Sequence, residues 1–168
     1  MVCCCHKTNS PAVLLTLGPA MWNNAERASR QSDLNLDTGN DRLEQPAIEF
    51  FEKFRAAGQT AKYIRMHRFE PTNDFIWLEL DEREFEQKTT KADYWTIHGR
   101  IVDAASRARN NPHKSVIKEN FIIDIMDADL TTELRSALEG YNNGRIKYRL
   151  RELWIMSHGQ LFRICLAA

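Results

Sequence analysis

The chain has 168 residues, enough for one domain with a buried core and a short appended segment. Its 23 Lys and Arg cancel 23 Asp and Glu, which excludes a broad basic coat for nucleic acid and leaves room only for a local patch. No run approaches the ~18 apolar residues of a membrane span, and residues 11–21 are too short to span and lack the positive flank of a signal peptide.

Three of the four cysteines, Cys3, Cys4 and Cys5, are adjacent, and Cys165 is their one distant partner. That spacing makes no disulfide framework, and adjacent ligands fit a tetrahedral metal poorly, so Cys3-Cys4-Cys5-His6 is expected to do no chemistry. Residues 1–40 read as a loosely organised leader, with helical stretches at 13–21 and 25–30 and a polar, turn-rich linker at 32–40. The domain proper is expected over 41–168. Leu43, Ala47, Phe50, Phe51 and Phe54 recur at helical spacing, and Gly58 stops that helix. Residues 61–69 alternate as a strand, 70–73 form a turn, and 74–90 read as two short strands joined by a tight polar turn.

Residues 93–110 give the clearest helix, with Tyr94, Ile97, Ile101, Ala104, Ala105 and Ala108 on one stripe and Asn110-Asn111-Pro112 as its end. The nearly continuous apolar run at 121–125 predicts a strand buried on both faces. A helix follows at 130–139, with Asp127 and Asp129 near its positive end and Gly140 and Asn142-Asn143-Gly144 closing it. Residues 146–156 and 161–166 then form a hairpin around Ser157-His158-Gly159. This order predicts an α/β three-layer sandwich with a mixed central sheet.

The 74–90 hairpin carries the chemistry. Side chains alternate across a strand, so Glu84, Glu86 and Lys88 share one face and Phe85 and Gln87 the other. Glu86 and Lys88 stand about 6–7 Å apart along the backbone, and Asp74 begins the neighbouring strand. Two carboxylates with a backbone carbonyl and water suit Mg²⁺ or Mn²⁺. Lys88 would orient or deprotonate an attacking water or steady the charged phosphorane. The same residues also suit a solvated strand face after a turn.

With these residues in this order, the chain resembles the PD-(D/E)xK, restriction-endonuclease-like, nuclease superfamily over residues 43–166. Glu44-Gln45-Pro46-Ala47…Phe54…Gly58 matches its opening acidic helix, with Glu49 as the other candidate acid. Asp74 matches the motif acid, Glu86-Gln87-Lys88 the Glu-x-Lys, and residues 93–110 the helix across the sheet. The ending, from Phe121-Ile122-Ile123 through Leu130…Leu134 and Leu150…Met156 to Gly159…Ile164, is similar to the C-terminal nuclease toxins of contact-dependent growth inhibition and related polymorphic toxin systems. Asn73 stands where the family usually has Pro, and the helix lacks the family's Gln, offering His98, Arg100, Ser106 or Arg107 instead.

The resemblance implies a metal-dependent nuclease with Asp74 and Glu86 holding Mg²⁺ or Mn²⁺, Lys88 acting on water and Glu44 or Glu49 supporting the metal through solvent. Its partners would be nucleic acid, tRNA before DNA, and a cognate immunity protein. It would be delivered by a bacterium and act in the cytoplasm of the target cell, its leader being flexible or the remnant of a larger delivery protein. On that basis Glu86→Ala and Lys88→Ala abolish cleavage and leave the fold intact. Two other readings stand beside it: a non-catalytic binding module, such as an immunity or regulatory partner, and a metal-independent ribonuclease using His98.

His98 sits at the margin of its helix's apolar stripe, where it faces the cleft or is a structural histidine. Arg100, Arg107 and Arg109, with Lys91 and Lys114, form a phosphate-binding patch or a solvated helix face. Thr89 and Thr90 bind a phosphate oxygen or simply suit a strand. Trp77, Trp95 and Trp154 are expected in the core, and His158 in a turn.

Overall fold

The computed structural model describes residues 21–67, 69–143 and 147–167; the Cys3-Cys4-Cys5-His6 tail and most of the expected 13–21 helix lie outside them. Four helices and six strands follow one another as α1 (Asn24–Asp33), α2 (Gln45–Ala56), β1 (Ala61–Tyr63), β2 (Phe75–Trp77), β3 (Arg83–Thr89), α3 (Tyr94–Arg109), β4 (Asn120–Asp124), α4 (Thr132–Glu139), β5 (Glu152–Ser157) and β6 (Gln160–Ile164). The strands lie in one sheet in chain order. The β3–β4 and β4–β5 pairs are parallel and the other three antiparallel, so the sheet is mixed as expected.

Each parallel step needs a crossover long enough to carry a helix. α3 and α4 supply them, and both pack on one face, where Ile97 and Ile101 of α3 and Leu134 and Leu138 of α4 meet Phe121, Ile123, Leu153 and Ile155. On the other face α2 lays Ile48, Phe50, Phe51 and Phe54 against Phe75, Trp77, Phe85, Ile122 and Met156. This layer is built from aromatic rings: Phe75 meets Phe51 and Phe54 edge-on, Phe50 tilted and Phe85 stacked, at centroid distances of 5.6, 5.4, 5.7 and 6.0 Å. The result is the three-layer sandwich.

α1 covers the expected helical stretch at 25–30. Asn23 caps it through a reciprocal capping box with Glu26, and Leu34 just beyond it is buried in the α2 layer. α3 is held at its start by Asp93, whose side chain accepts the amide of Thr96. α4 begins two residues later than the apolar pattern suggests, because Thr131 takes the cap. The β5–β6 turn is His158-Gly159 with φ of 49° and 72°, the left-handed pair that a two-residue hairpin demands.

Three expected elements differ. β1 ends at Tyr63 because the chain beyond it is held by side chains from residues 37–41: the Met66 amide donates to Asp41 (2.8 Å) and Arg65 pairs with Asp37 (2.6 Å). β2 is only three residues long, and a five-residue connection, 78–82, with Asp81 and Glu82 at positive φ, replaces the tight turn. The strand expected over 146–156 starts at Glu152, since Asn142 bonds both the amide and the carbonyl of Leu150 and holds that residue outside the sheet. Trp77 is buried and Trp154 half-buried, but Trp95 is 73% exposed. It lies in the first turn of α3, off the Ile97–Ile101 stripe, and leans on Tyr94 (5.1 Å) rather than on the core.

Candidate functional site

The sheet register decides which side chains meet. In a parallel pair, residues opposite one another point to the same face. Glu86 lies opposite Phe121 and Lys88 opposite Ile123, so both project into the α3 layer. Asp74 arrives beside them from the start of β2: its amide donates to Phe85 O (3.0 Å), and its carboxylate accepts the Gln87 amide (2.8 Å).

These three residues close around one point, the Lys88 ammonium. Its Nζ lies 2.6 Å from Glu86 Oε1, 2.7 Å from the Gln87 carbonyl oxygen and 3.5 Å from Asp74 Oδ2. Glu86 is 3% exposed. Burial works to lower the Lys88 pKa, but the charges of Asp74 and Glu86 outweigh it and hold the ammonium above its ordinary value. Lys88 is therefore a fixed positive charge and hydrogen-bond donor here. The surrounding donors are two carboxylates and a carbonyl, all hard oxygens, the set that suits Mg²⁺ or Mn²⁺ and not a soft metal. Among the described residues no group of three or more His, Cys, Asp or Glu gathers for a metal, so such an ion would rely on this pair, the carbonyl and solvent.

The cleft beside Lys88 has a volume of about 320 Å³ and is walled by one stripe of α3, with Arg100, Asp103 and Arg107 at helical spacing, and by Lys118 from the coil before β4. Four cations (Lys88, Arg100, Arg107, Lys118) thus face two carboxylates (Glu86, Asp103) in a chain of zero net charge. Arg107 is steadied by Asp103 at 2.7 Å. The expected patch partners Lys91, Arg109 and Lys114 do not line this cleft; Lys114 pairs with Glu70 at 3.1 Å.

Lys118 is the residue that sequence reasoning misses. Its side chain is 8% exposed and its ammonium bonds Glu86 Oε2, so each oxygen of Glu86 carries one lysine. Lys118 belongs to no element and lies 32 residues from Glu86; only the parallel pairing of β3 with β4 brings them together.

Other expected site residues lie elsewhere. Glu44 caps the start of α2 with an 83% exposed side chain that reaches Arg27 (3.4 Å), and Glu49 accepts from Gln45 (2.7 Å) on the same helix. α2 covers the sheet face opposite to Glu86 and Lys88, so neither acid joins them. Thr89 is also on the α2 face: it lies opposite Asp124, whose carboxylate meets Lys53 of α2 at 3.3 Å, and its hydroxyl accepts from Gln87. Thr90 is buried, its amide donating to the Asp124 carbonyl. His98 packs among Tyr94, Trp95 and Tyr141 at 6.0, 5.9 and 5.5 Å, toward the end of α4, and does not line the cleft.

No protein-family model matches the chain, and no curated protein matches it. In fold it is similar to a chain of a solved "CdiA-CT/CdiI toxin and immunity complex from Burkholderia pseudomallei", with a TM-score of 0.53 and 10% sequence identity. The match covers 77% of this chain and 97% of that one. At that identity the likeness is one of fold.

Proposed function

We propose that the protein hydrolyses phosphodiester bonds of nucleic acid with Mg²⁺ or Mn²⁺, as a PD-(D/E)xK-type toxin delivered into a target cell and neutralised by an immunity protein. The observation that carries this is the convergence of Asp74, Glu86 and the Gln87 carbonyl on the Lys88 ammonium, beneath a cationic face of α3. Asp74 and Glu86 would hold the metal, which when bound supplies an acidified water and charge stabilisation. Lys88, protonated, orients the nucleophile and donates to oxygen as negative charge builds on the phosphate. Arg100 and Arg107 hold the flanking phosphates and set the strand along the cleft. The toxin role rests on the fold likeness to a chain of a toxin and immunity complex and on the sequence resemblance, and the preference for RNA, tRNA first, on that resemblance alone. No helix among the described residues is long and apolar enough to cross a membrane, and action in the target cytoplasm is part of the same proposal.

Incubating the pure protein with total tRNA and with plasmid, with and without EDTA, tests this. Cleavage of one or both is expected, abolished by EDTA, by Asp74→Asn and by Lys88→Ala. Undiminished cleavage by a folded Asp74→Asn protein would refute the site.

One observation favours a second reading. Lys88 and Lys118 partner both oxygens of Glu86, and with Asp74 the four charges make a neutral, closed cluster of the kind that fastens two strands and a loop. On that reading the chain is a non-catalytic binding module, such as an immunity protein. Mn²⁺ titration in the presence of inorganic phosphate separates the two: a nuclease binds the ion and loses it in Asp74→Asn, whereas a binding module shows no such signal.

A further inference from the structure

Lys118 poses a problem that the proposed reaction must solve. Glu86 is its one ion-pair partner among the described residues, and its side chain is 8% exposed. A divalent ion on Asp74 and Glu86 would take up the Glu86 oxygens and add positive charge beside an ammonium that water barely reaches. A buried charge stripped of its partner is strongly unfavourable unless another counter-charge replaces it. Lys88 does not meet the same difficulty, since it keeps the Gln87 carbonyl and is 29% exposed. Lys118 opens onto the cleft, where Arg100 and Arg107 already favour an anion.

We propose that Lys118 is a phosphate-binding residue, held on Glu86 in the free protein and transferred to a non-bridging oxygen of the scissile phosphodiester when metal and substrate enter. This rests on the phosphodiesterase reading of the site and adds to it. The consequence is coupling. The free cluster sums to zero (Asp74 and Glu86 against Lys88 and Lys118) and resists a lone divalent cation, while a phosphate that takes Lys118 away frees the Glu86 oxygen for metal. Each ligand then strengthens the other by the same factor.

The test is Mn²⁺ binding to the full chain, followed by electron paramagnetic resonance, with and without inorganic phosphate. In the unaltered protein, saturating phosphate is expected to tighten Mn²⁺ by about 5–150-fold, the usual range for coupled sites. In Lys118→Met, Mn²⁺ alone binds more tightly than to the unaltered protein, and the phosphate effect disappears. Lys118→Arg retains the charge and keeps part of the coupling, and circular dichroism verifies that both variants are folded. If Mn²⁺ binds and is lost in Asp74→Asn, but affinity and coupling are the same in Lys118→Met, the inference fails and the metal site stands. If Mn²⁺ does not bind the unaltered protein even with phosphate present, the phosphodiesterase reading and the inference fall together.

Discussion

Substituting Glu86 by alanine should do more than remove an oxygen ligand. From sequence, Glu86 stands on a strand beside solvent-loving neighbours, and its loss is expected to spare the fold. In the structure it is 3% exposed and neutralises two ammoniums. Removing one member of a buried ion pair costs roughly 3–5 kcal/mol, because the survivor is left charged and dry. Lys118, 8% exposed with no second carboxylate among the described residues, meets that description in full. Lys88, 29% exposed and still 3.5 Å from Asp74, adds little. A loss of about 4 kcal/mol in a chain of this size lowers Tm by roughly 8–16 °C. It is a large share of the ~5–15 kcal/mol that holds a domain together. Adding Lys118→Met removes the orphaned charge and returns about 2 kcal/mol, the size of coupling found between contacting groups. Thermal and urea unfolding of the two single variants and the double variant measure this cycle. A Glu86→Ala protein whose Tm stays within about 3 °C of the unaltered protein, with no recovery in the double variant, would show that water solvates this cluster and that Lys118 is not truly buried. For activity assays the cycle also recommends Glu86→Gln, which keeps volume and an acceptor.

Three other outcomes follow from placement. Thr89→Ala leaves kcat/KM for cleavage unchanged, because Thr89 faces α2 and not the cleft; a loss comparable to that of Lys88→Ala would contradict the register. Arg100→Ala and Arg107→Ala each weaken nucleic-acid binding and reduce the slope of log affinity against log salt by about 1 per lost phosphate contact, measured by fluorescence anisotropy over a salt series. Burial, helped by Asp41 at Tyr63 and by Tyr94 at Tyr141, pushes both phenols up from 10.0 to about 12. The unfolded phenols ionise first, so stability is complete below pH 10 and falls as pH rises toward about 12; urea midpoints across that window check the sign.

The elements that the sequence reveals are those whose hydrophobic period belongs to a single stretch of chain. α3 runs Tyr94–Arg109 where its apolar stripe and closing Asn110 place it, and β4 runs Asn120–Asp124 within one residue of its apolar run. Glu86 and Lys88 share a face because strand alternation is local too. What escapes is set by partners distant in sequence. β1 stops early because Asp37 and Asp41 capture the chain that follows it. Glu44 looks like a site acid only until α2 is seen on the opposite face of the sheet. Trp95 looks like core only until its angle from the Ile97 stripe is known.

Lys118 is the sharpest case, because nothing around it in the chain marks it. Asp74 and the Glu86–Lys88 pair are joined by a hairpin, so short-range pattern finds them together. Lys118, two residues before β4, reaches Glu86 through a parallel pairing that requires all of α3 to intervene. The same crossover carries Arg100 and Arg107 over that point. The β3–α3–β4 unit therefore supplies both the buried carboxylate and all four cations of the cleft: Lys88 comes from β3, Arg100 and Arg107 from α3, and Lys118 from the approach to β4. Of the charged cluster, Asp74 enters from outside, which makes the β2–β3 pairing the joint on which the proposed metal binding depends and the charge of the cleft a property of one supersecondary unit.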